Sequence, residues 1–194
     1  MRIRLASPTD ARAIASIYAP VVMDTATSFE MEPPDAAEME RRMAVVLPSH
    51  PWLVAEEEGR VLGYAYAGAH RSRVAYQWSV EPSVYVAATA QGRGIGRRLY
   101  TALFAVLREQ GFARAYAGVT LPNAPSLGLH HAFGFKEVGV YRRVGYKHGA
   151  WHDVWWGALD LLSPARDGEP SPPRTVTDLM ETGELATTGV GGSS

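Results

Sequence analysis

Cysteine is absent from the chain, which removes disulfides, thiolate metal ligands and a cysteine nucleophile at once. An excess of either charge is missing too. Nineteen Lys and Arg against twenty Asp and Glu leave a formal net charge of −1, so neither nucleic acid nor an anionic membrane is expected as a partner. No apolar run approaches the ~18 residues of a membrane-crossing helix, and nothing resembles a signal peptide or an internal repeat. A Walker A loop is lacking. The dinucleotide fingerprint G-x-G-x-x-G is missed because the third glycine comes one residue early. What remains is 46% hydrophobic and 20% charged, globular values for a single domain with a tail. A cytoplasmic enzyme or binding domain is the expectation.

The chain is organised around Val80-Glu81-Pro82-Ser83-Val84-Tyr85-Val86, followed by Gln91-Gly92-Arg93-Gly94-Ile95-Gly96-Arg97-Arg98. Residues 83–86 read as a strand. Residues 97–108 carry apolar side chains at 99, 102, 103, 106 and 107, the spacing of an amphipathic helix. Three glycines thus sit between a strand and a helix N-terminus. They let the backbone turn sharply and approach a ligand, while the unpaired N–H groups of the first helical turn favour negative charge. Arg93, Arg97 and Arg98 add cations, and a phosphate-bearing ligand is the natural occupant. A plain turn is the bland alternative.

Taken in order, residues 2–5 alternate as a first strand, and Ser7-Pro8-Thr9-Asp10 starts a helix. A second helix runs from Asp35 to Val46, its cap followed by Glu38. Residues 52–56 and 60–67 form a hairpin around Glu57-Glu58-Gly59. After the central strand and helix come a strand at 115–119, a short helix at 126–133 stopping at Gly134, and strands at 138–141 and 151–156. Beyond Leu162 the composition turns rich in Pro, Gly, Ser and Thr, and residues 163–194 are expected to be a largely disordered tail on a domain of residues 1–162. The order is β-α-α-β-β-β-α-β-α-β-β: a mixed α/β sheet.

Gln91-Gly92-Arg93-Gly94-Ile95-Gly96 resembles the pyrophosphate loop of the GCN5-related N-acetyltransferases (GNAT), and the order of elements is theirs over about residues 2–160. Four separated stretches sharpen the resemblance: Tyr64-Ala65-Tyr66-Ala67-Gly68, Glu81-x-Ser83-Val84-Tyr85-Val86, Leu121-Pro122-Asn123-x-Pro125-Ser126 and Lys147-His148-Gly149-x-Trp151-His152-Asp153-Val154. Together they look like the phosphinothricin and methionine sulfoximine N-acetyltransferases. The resemblance implies a mainly antiparallel sheet with helices on both faces and a splayed central strand pair. It also implies acetyl-CoA as co-substrate, no metal, a small amino acid as acceptor, and a homodimer.

Acetyl transfer to an amine needs a base for the ammonium proton, a donor to the oxyanion and a proton for the leaving sulfur. The resemblance makes Glu81 the base, acting directly or through water, and His130, seven residues after Asn123, the group serving sulfur. An exposed strand-end carboxylate and an ordinary helix-face histidine are the alternatives. Val84, Tyr85 and Val86 would pair with the pantetheine arm, and Pro82 would interrupt the ladder to open the gap. Gln91, Gly92, Arg93, Gly94, Ile95, Gly96, Arg97 and Asn123 would hold the rest of the co-substrate. Phe29, Arg71, Ser72, Arg73 and Glu81 would contact the amino acid, guanidinium forks suiting carboxylate and phosphinate oxygens. Solvated loop arginines are the alternative there. Tyr76, Trp78 and the Tyr85 ring read as core, and His148, His152 and Asp153 fit no common metal set. Two rivals stay open: an acetyltransferase for a polyamine or protein N-terminus, and a CoA-binding sensor without turnover.

Overall fold

A computed structural model describes residues 1–162 and 170–185. Seven strands form one sheet: β1 (Arg2–Leu5), β2 (Trp52–Glu57), β3 (Arg60–Ala69), β4 (Ser79–Val86), β5 (Arg114–Thr120), β6 (Lys136–Lys147) and β7 (Ala150–Asp160). Their spatial order is β1-β2-β3-β4-β5-β7-β6, antiparallel throughout except for β4 beside β5. The helices are α1 (Ala11–Asp24), α2 (Ala36–Val46), α3 (Ile95–Gln110), α4 (Ala124–Ala132) and α5 (Val176–Glu181). The expected fold class stands.

Local chemistry explains the helix starts. Ser7 and Asp10 form a capping box ahead of α1, and the Asp35 carboxylate accepts the Glu38 N–H at 2.8 Å. Alternation along the strands then divides the core in two. Leu53, Ala55, Ala65 and Ala67 face α3, where Leu99, Leu103 and Leu107 are fully buried. Trp52, Val54 and Tyr64 face α1 and α2, meeting Ile14, Tyr18, Val22, Met39 and Met43. Helices therefore cover both faces.

Two expectations need correction. Residues 170–185 are not loose: α5 begins with a Thr175–Asp178 capping box, and Val176, Leu179 and Leu185 are buried in the α3-side core. Arg174 N–H donates to the Gln110 carbonyl at 2.7 Å, and Gln110 Nε2 donates to the carbonyls of Ser49 and Arg174, each at 2.8 Å. The remainder of the expected tail, 163–169 and 186–194, lies outside the described residues. Second, β6 continues to Lys147 through a register shift between Tyr141 and Gly145. The Asp153 carboxylate accepts from Arg143 N–H at 2.7 Å and pairs with Arg142, holding that irregularity in place.

Candidate active site

The site begins with a strand pair that separates. β4 and β5 are in register only at Ser79–Arg114 and Val80–Ala115. Beyond them Pro82, Ser83 and Val84 face Gly118, Val119 and Thr120 across a gap. The ladder on the other side of β4 is unbroken, with Ala67 opposite Pro82, so the proline does not interrupt it. Ala67 gives its N–H to Pro51 at 3.1 Å, on the β2 side. By antiparallel alternation the backbone groups of Val80, Pro82, Val84 and Val86 therefore face β5, while those of Glu81, Ser83 and Tyr85 are spent on β3. Proline has no N–H where pairing stops. Val84 and Val86 thus present their peptide groups to the gap. Tyr85 does not; its ring packs on Tyr18 at 5.0 Å and Tyr64 at 5.2 Å, as expected for core.

The gap widens into a cleft of about 660 Å³ lined by Val84, Val86, Gln91, Gly92, Gly94, Ile95, Gly96, Arg97 and Asn123. Gly94, with φ +74°, is the N-cap of α3, and no atom lies within 4 Å of where a Cβ would stand. A backbone in that conformation disfavours every other residue type. The amides of Ile95, Gly96 and Arg97 belong to the helix's unpaired first turn. Open space beside fixed donors at a helix N-terminus fits a phosphate group. Arg93 is turned aside, pairing with Glu57 at 2.7 Å.

At the inner end, Asn123 caps α4 by accepting the Ser126 N–H at 3.1 Å. One turn on, His130 is buried, 4% exposed. Its Nδ1 lies 2.8 Å from the Ser126 carbonyl oxygen, which only accepts, so Nδ1 carries the proton. Nε2 is then free to accept, and the Tyr100 hydroxyl lies 3.3 Å from it. Burial lowers the His130 pKa below the ordinary imidazole value, the Ser126 hydrogen bond opposing and His131 adding slightly, so the ring is neutral near pH 7. Tyr100, fully enclosed, is pushed well above the usual phenol range by burial. Both line the narrow end of the gap with Thr27, Ser83 and Ser126.

Glu81 shares the sheet face of Ser83 and Tyr85 and keeps 39% of its side chain exposed. The other expected acceptor contacts are dispersed. Phe29 lies against Gly145 of β6. Arg71, Ser72 and Arg73 line a separate groove with His50, Phe112 and Arg174, away from the cleft. Arg71 there donates to the His70 carbonyl at 2.9 Å. Tyr76 is 43% exposed, not core, and the Trp78 indole donates to the Ser171 carbonyl at 2.9 Å. Among the described residues no three His, Asp or Glu cluster as a metal site. His152 and His148 instead contact the carbonyls of Lys147 and Thr25.

Three contributors went unnoticed in the sequence: Tyr100, Thr27 and His70. Tyr100 sits on the apolar stripe of α3, and nothing local separates it from core. His70 lies 3.4 Å from Glu81; only the β3–β4 register reveals that.

Comparison with known proteins agrees with this geometry. Residues 3–156 match the family model described as an acetyltransferase (GNAT) domain. A phosphinothricin N-acetyltransferase of Streptomyces viridochromogenes is 40% identical over 179 residues, covering 92% of this chain and 96% of that protein. An L-methionine sulfoximine/L-methionine sulfone acetyltransferase of Salmonella typhimurium is 38% identical over 165 residues, 83% of this chain and 95% of that one. The crystal structure of a GNAT phosphinothricin acetyltransferase from Sinorhizobium meliloti, solved with acetyl-CoA, superposes with a TM-score of 0.82 at 35% identity, covering 87% of this chain and 92% of that one. With the splayed strands, the glycine-lined helix N-terminus and these likenesses in hand, the chain belongs to the phosphinothricin and methionine sulfoximine N-acetyltransferase family of the GNAT superfamily.

Proposed function

We propose that this protein is an acetyl-CoA-dependent N-acetyltransferase acting on the α-amino group of a small amino acid with a tetrahedral polar end, such as phosphinothricin, methionine sulfoximine or methionine sulfone. The observation that carries this reading is the continuity of the cleft. Two unspent strand peptides, at Val84 and Val86, lead to the bare N-terminus of α3. An extended amide-bearing arm suits the first, a pyrophosphate the second. Bound acetyl-CoA supplies an activated thioester carbonyl.

The chain's own residues divide the remaining work. Glu81 takes the first proton from the substrate ammonium, directly or through water, leaving an amine able to attack. The Val84 N–H, fixed and facing the gap, donates to the oxygen on which negative charge develops. The nitrogen still carries one proton too many once the C–N bond forms, and the sulfur needs one as the C–S bond breaks. Neutral His130 suits that exchange: Nε2 accepts the second proton and passes it to sulfur, while Nδ1 stays on Ser126. Arg71 and Arg73 do not support the amino-acid reading from their present groove; the relatives support it. Release of free thiol from acetyl-CoA, measured against a panel of amino acids and polyamines, tests the proposal. Turnover of polyamines with none of the amino acids would overturn it.

A homodimer is part of the same reading. Val138, Tyr141, Val144, Tyr146 and Trp151 of the β6–β7 hairpin are each at least half exposed. That much apolar surface on one hairpin marks an interaction face. Light scattering at micromolar concentration is expected to give twice the chain mass, and Trp151→Arg to shift it toward one.

A further inference from the structure

Directly opposite Glu81 in the β3–β4 ladder stands Gly68, which has no side chain and open space above it. The side chains flanking that space on β3 are the two diagonal ones, Tyr66 and His70, and His70 is the one within hydrogen-bond distance of Glu81. Its imidazole is held by three rings. It stacks on Tyr116 of β5 at 4.5 Å and 19°, and meets Trp156 of β7 and Tyr76 edge-on at 5.9 and 6.5 Å. Only 12% of the side chain is exposed. So fixed, Nδ1 is aimed at Glu81 Oε2, 3.4 Å away. A carboxylate only accepts, so Nδ1 carries the proton. One carboxylate oxygen is taken up, and Oε1 is left for the ammonium or its water.

We propose that His70 is the positioning residue for Glu81, a role that rests on Glu81 being the base. A side chain 39% exposed would otherwise sample several rotamers, most of them unproductive. The groups facing this pair are few. They are the phenols of Tyr76, Tyr116 and Tyr66, the last raised chiefly by burial with the Glu81 charge contributing, and the Arg71 guanidinium on the His70 carbonyl.

The test separates a hydrogen bond from mere packing. Rates with methionine sulfoximine and acetyl-CoA are measured from about pH 5.5 to 9 for wild type, His70→Phe, His70→Asn, His70→Gln, Glu81→Gln and the His70→Phe/Glu81→Gln double variant. Phenylalanine keeps the stack and loses the donor; asparagine keeps a donor near the Nδ1 position, and glutamine moves it away. His70→Phe is expected to lower kcat by roughly tenfold, the scale of misplacing a reacting group. The KM for acetyl-CoA should be unchanged. His70→Asn should recover most of the rate and His70→Gln little. The double variant should be no slower than Glu81→Gln alone. With Glu81→Gln crippled, a His70→Phe enzyme within about twofold of wild type overturns the positioning role alone. So do additive losses in the double variant, or glutamine outperforming asparagine. A fully active Glu81→Gln overturns the base reading, and this proposal with it.

Discussion

Phe29 lies directly over Gly145: any side chain at position 145 would collide with its ring. The loop carrying Phe29 is tied to the same hairpin by Lys147, a buried lysine whose Nζ donates to the carbonyls of Val22 and Ser28 at 2.6 and 2.7 Å. Val22 is within the last turn of α1, where carbonyls lack helical partners and a cation is favoured. The β6–β7 hairpin therefore fixes where Phe29 stands relative to the cleft.

Gly145→Ala should displace the ring without touching the glycine loop. The expected result is a several-fold rise in the KM for the amino acid, an unchanged KM for acetyl-CoA, and a stability loss of about 1–3 kcal/mol from overpacking. Phe29→Ala should reproduce the KM effect with less loss of stability. Unchanged kinetics in both variants would remove Phe29 from the acceptor site.

Gly94→Val is expected to weaken acetyl-CoA binding at least tenfold, about 1.4 kcal/mol. The space around a Cβ there is open in the protein itself, so the predicted clash is with the ligand. The left-handed conformation adds a folding cost of roughly 1–2 kcal/mol, which thermal melts would register separately. Calorimetry on folded protein showing wild-type affinity would take the loop out of the site.

Leu179 is 1% exposed in the α3-side core, although it belongs to a segment whose composition reads as a tail. Leu179→Ala should cost about 2–5 kcal/mol, readable as a lowered urea midpoint. A loss under about 0.5 kcal/mol, the size of a surface change, would mean that the 170–185 segment does not bear on stability.

What the sequence made legible follows from how local each signal is. The starts of α1 and α2 are encoded within four residues, Ser7 to Asp10 and Asp35 to Glu38, and they stand where read. The glycine loop and the central strand were legible for the same reason. Thr175-x-x-Asp178 is an equally local cap, but four prolines between 164 and 173 mask it at the level of composition. β6 was cut short because Arg142 and Arg143 break the alternation, and the carboxylate that stabilises the break, Asp153, comes from another strand. Register-dependent neighbours were out of reach. His70 meets Glu81, and Tyr100 meets His130, only once strands pair and α4 docks on α3. The groove holding Arg71 and Arg73 is completed by His50, Phe112 and Arg174, distant segments that no motif joins.

His130 supports a prediction with two independent readouts. Burial holds its pKa below the unfolded value of about 6.5. The unfolded chain therefore binds a proton more readily than the folded one, and stability must rise with pH across that interval. Wild type should lose this contribution as pH falls through about 6.5 toward the lowered folded value, at no more than about 1.4 kcal/mol per pH unit. His130→Asn keeps a donor for the Ser126 carbonyl and removes Nε2. It should flatten that part of the stability profile; His50, also lowered by burial, leaves a residual slope. Activity should change differently. Without Nε2 the second amine proton has no carrier to sulfur, and kcat should drop by the ~10²–10⁴ of a lost acid–base group. Raising the pH should not repair that loss, because alkali strips the other donors that sulfur would need. Glu81→Gln should recover in part under the same conditions, since solvent then deprotonates the amine. A His130→Asn enzyme that regains its rate at high pH in parallel with Glu81→Gln would show that the two residues serve the same proton, and the shuttle assignment would fall.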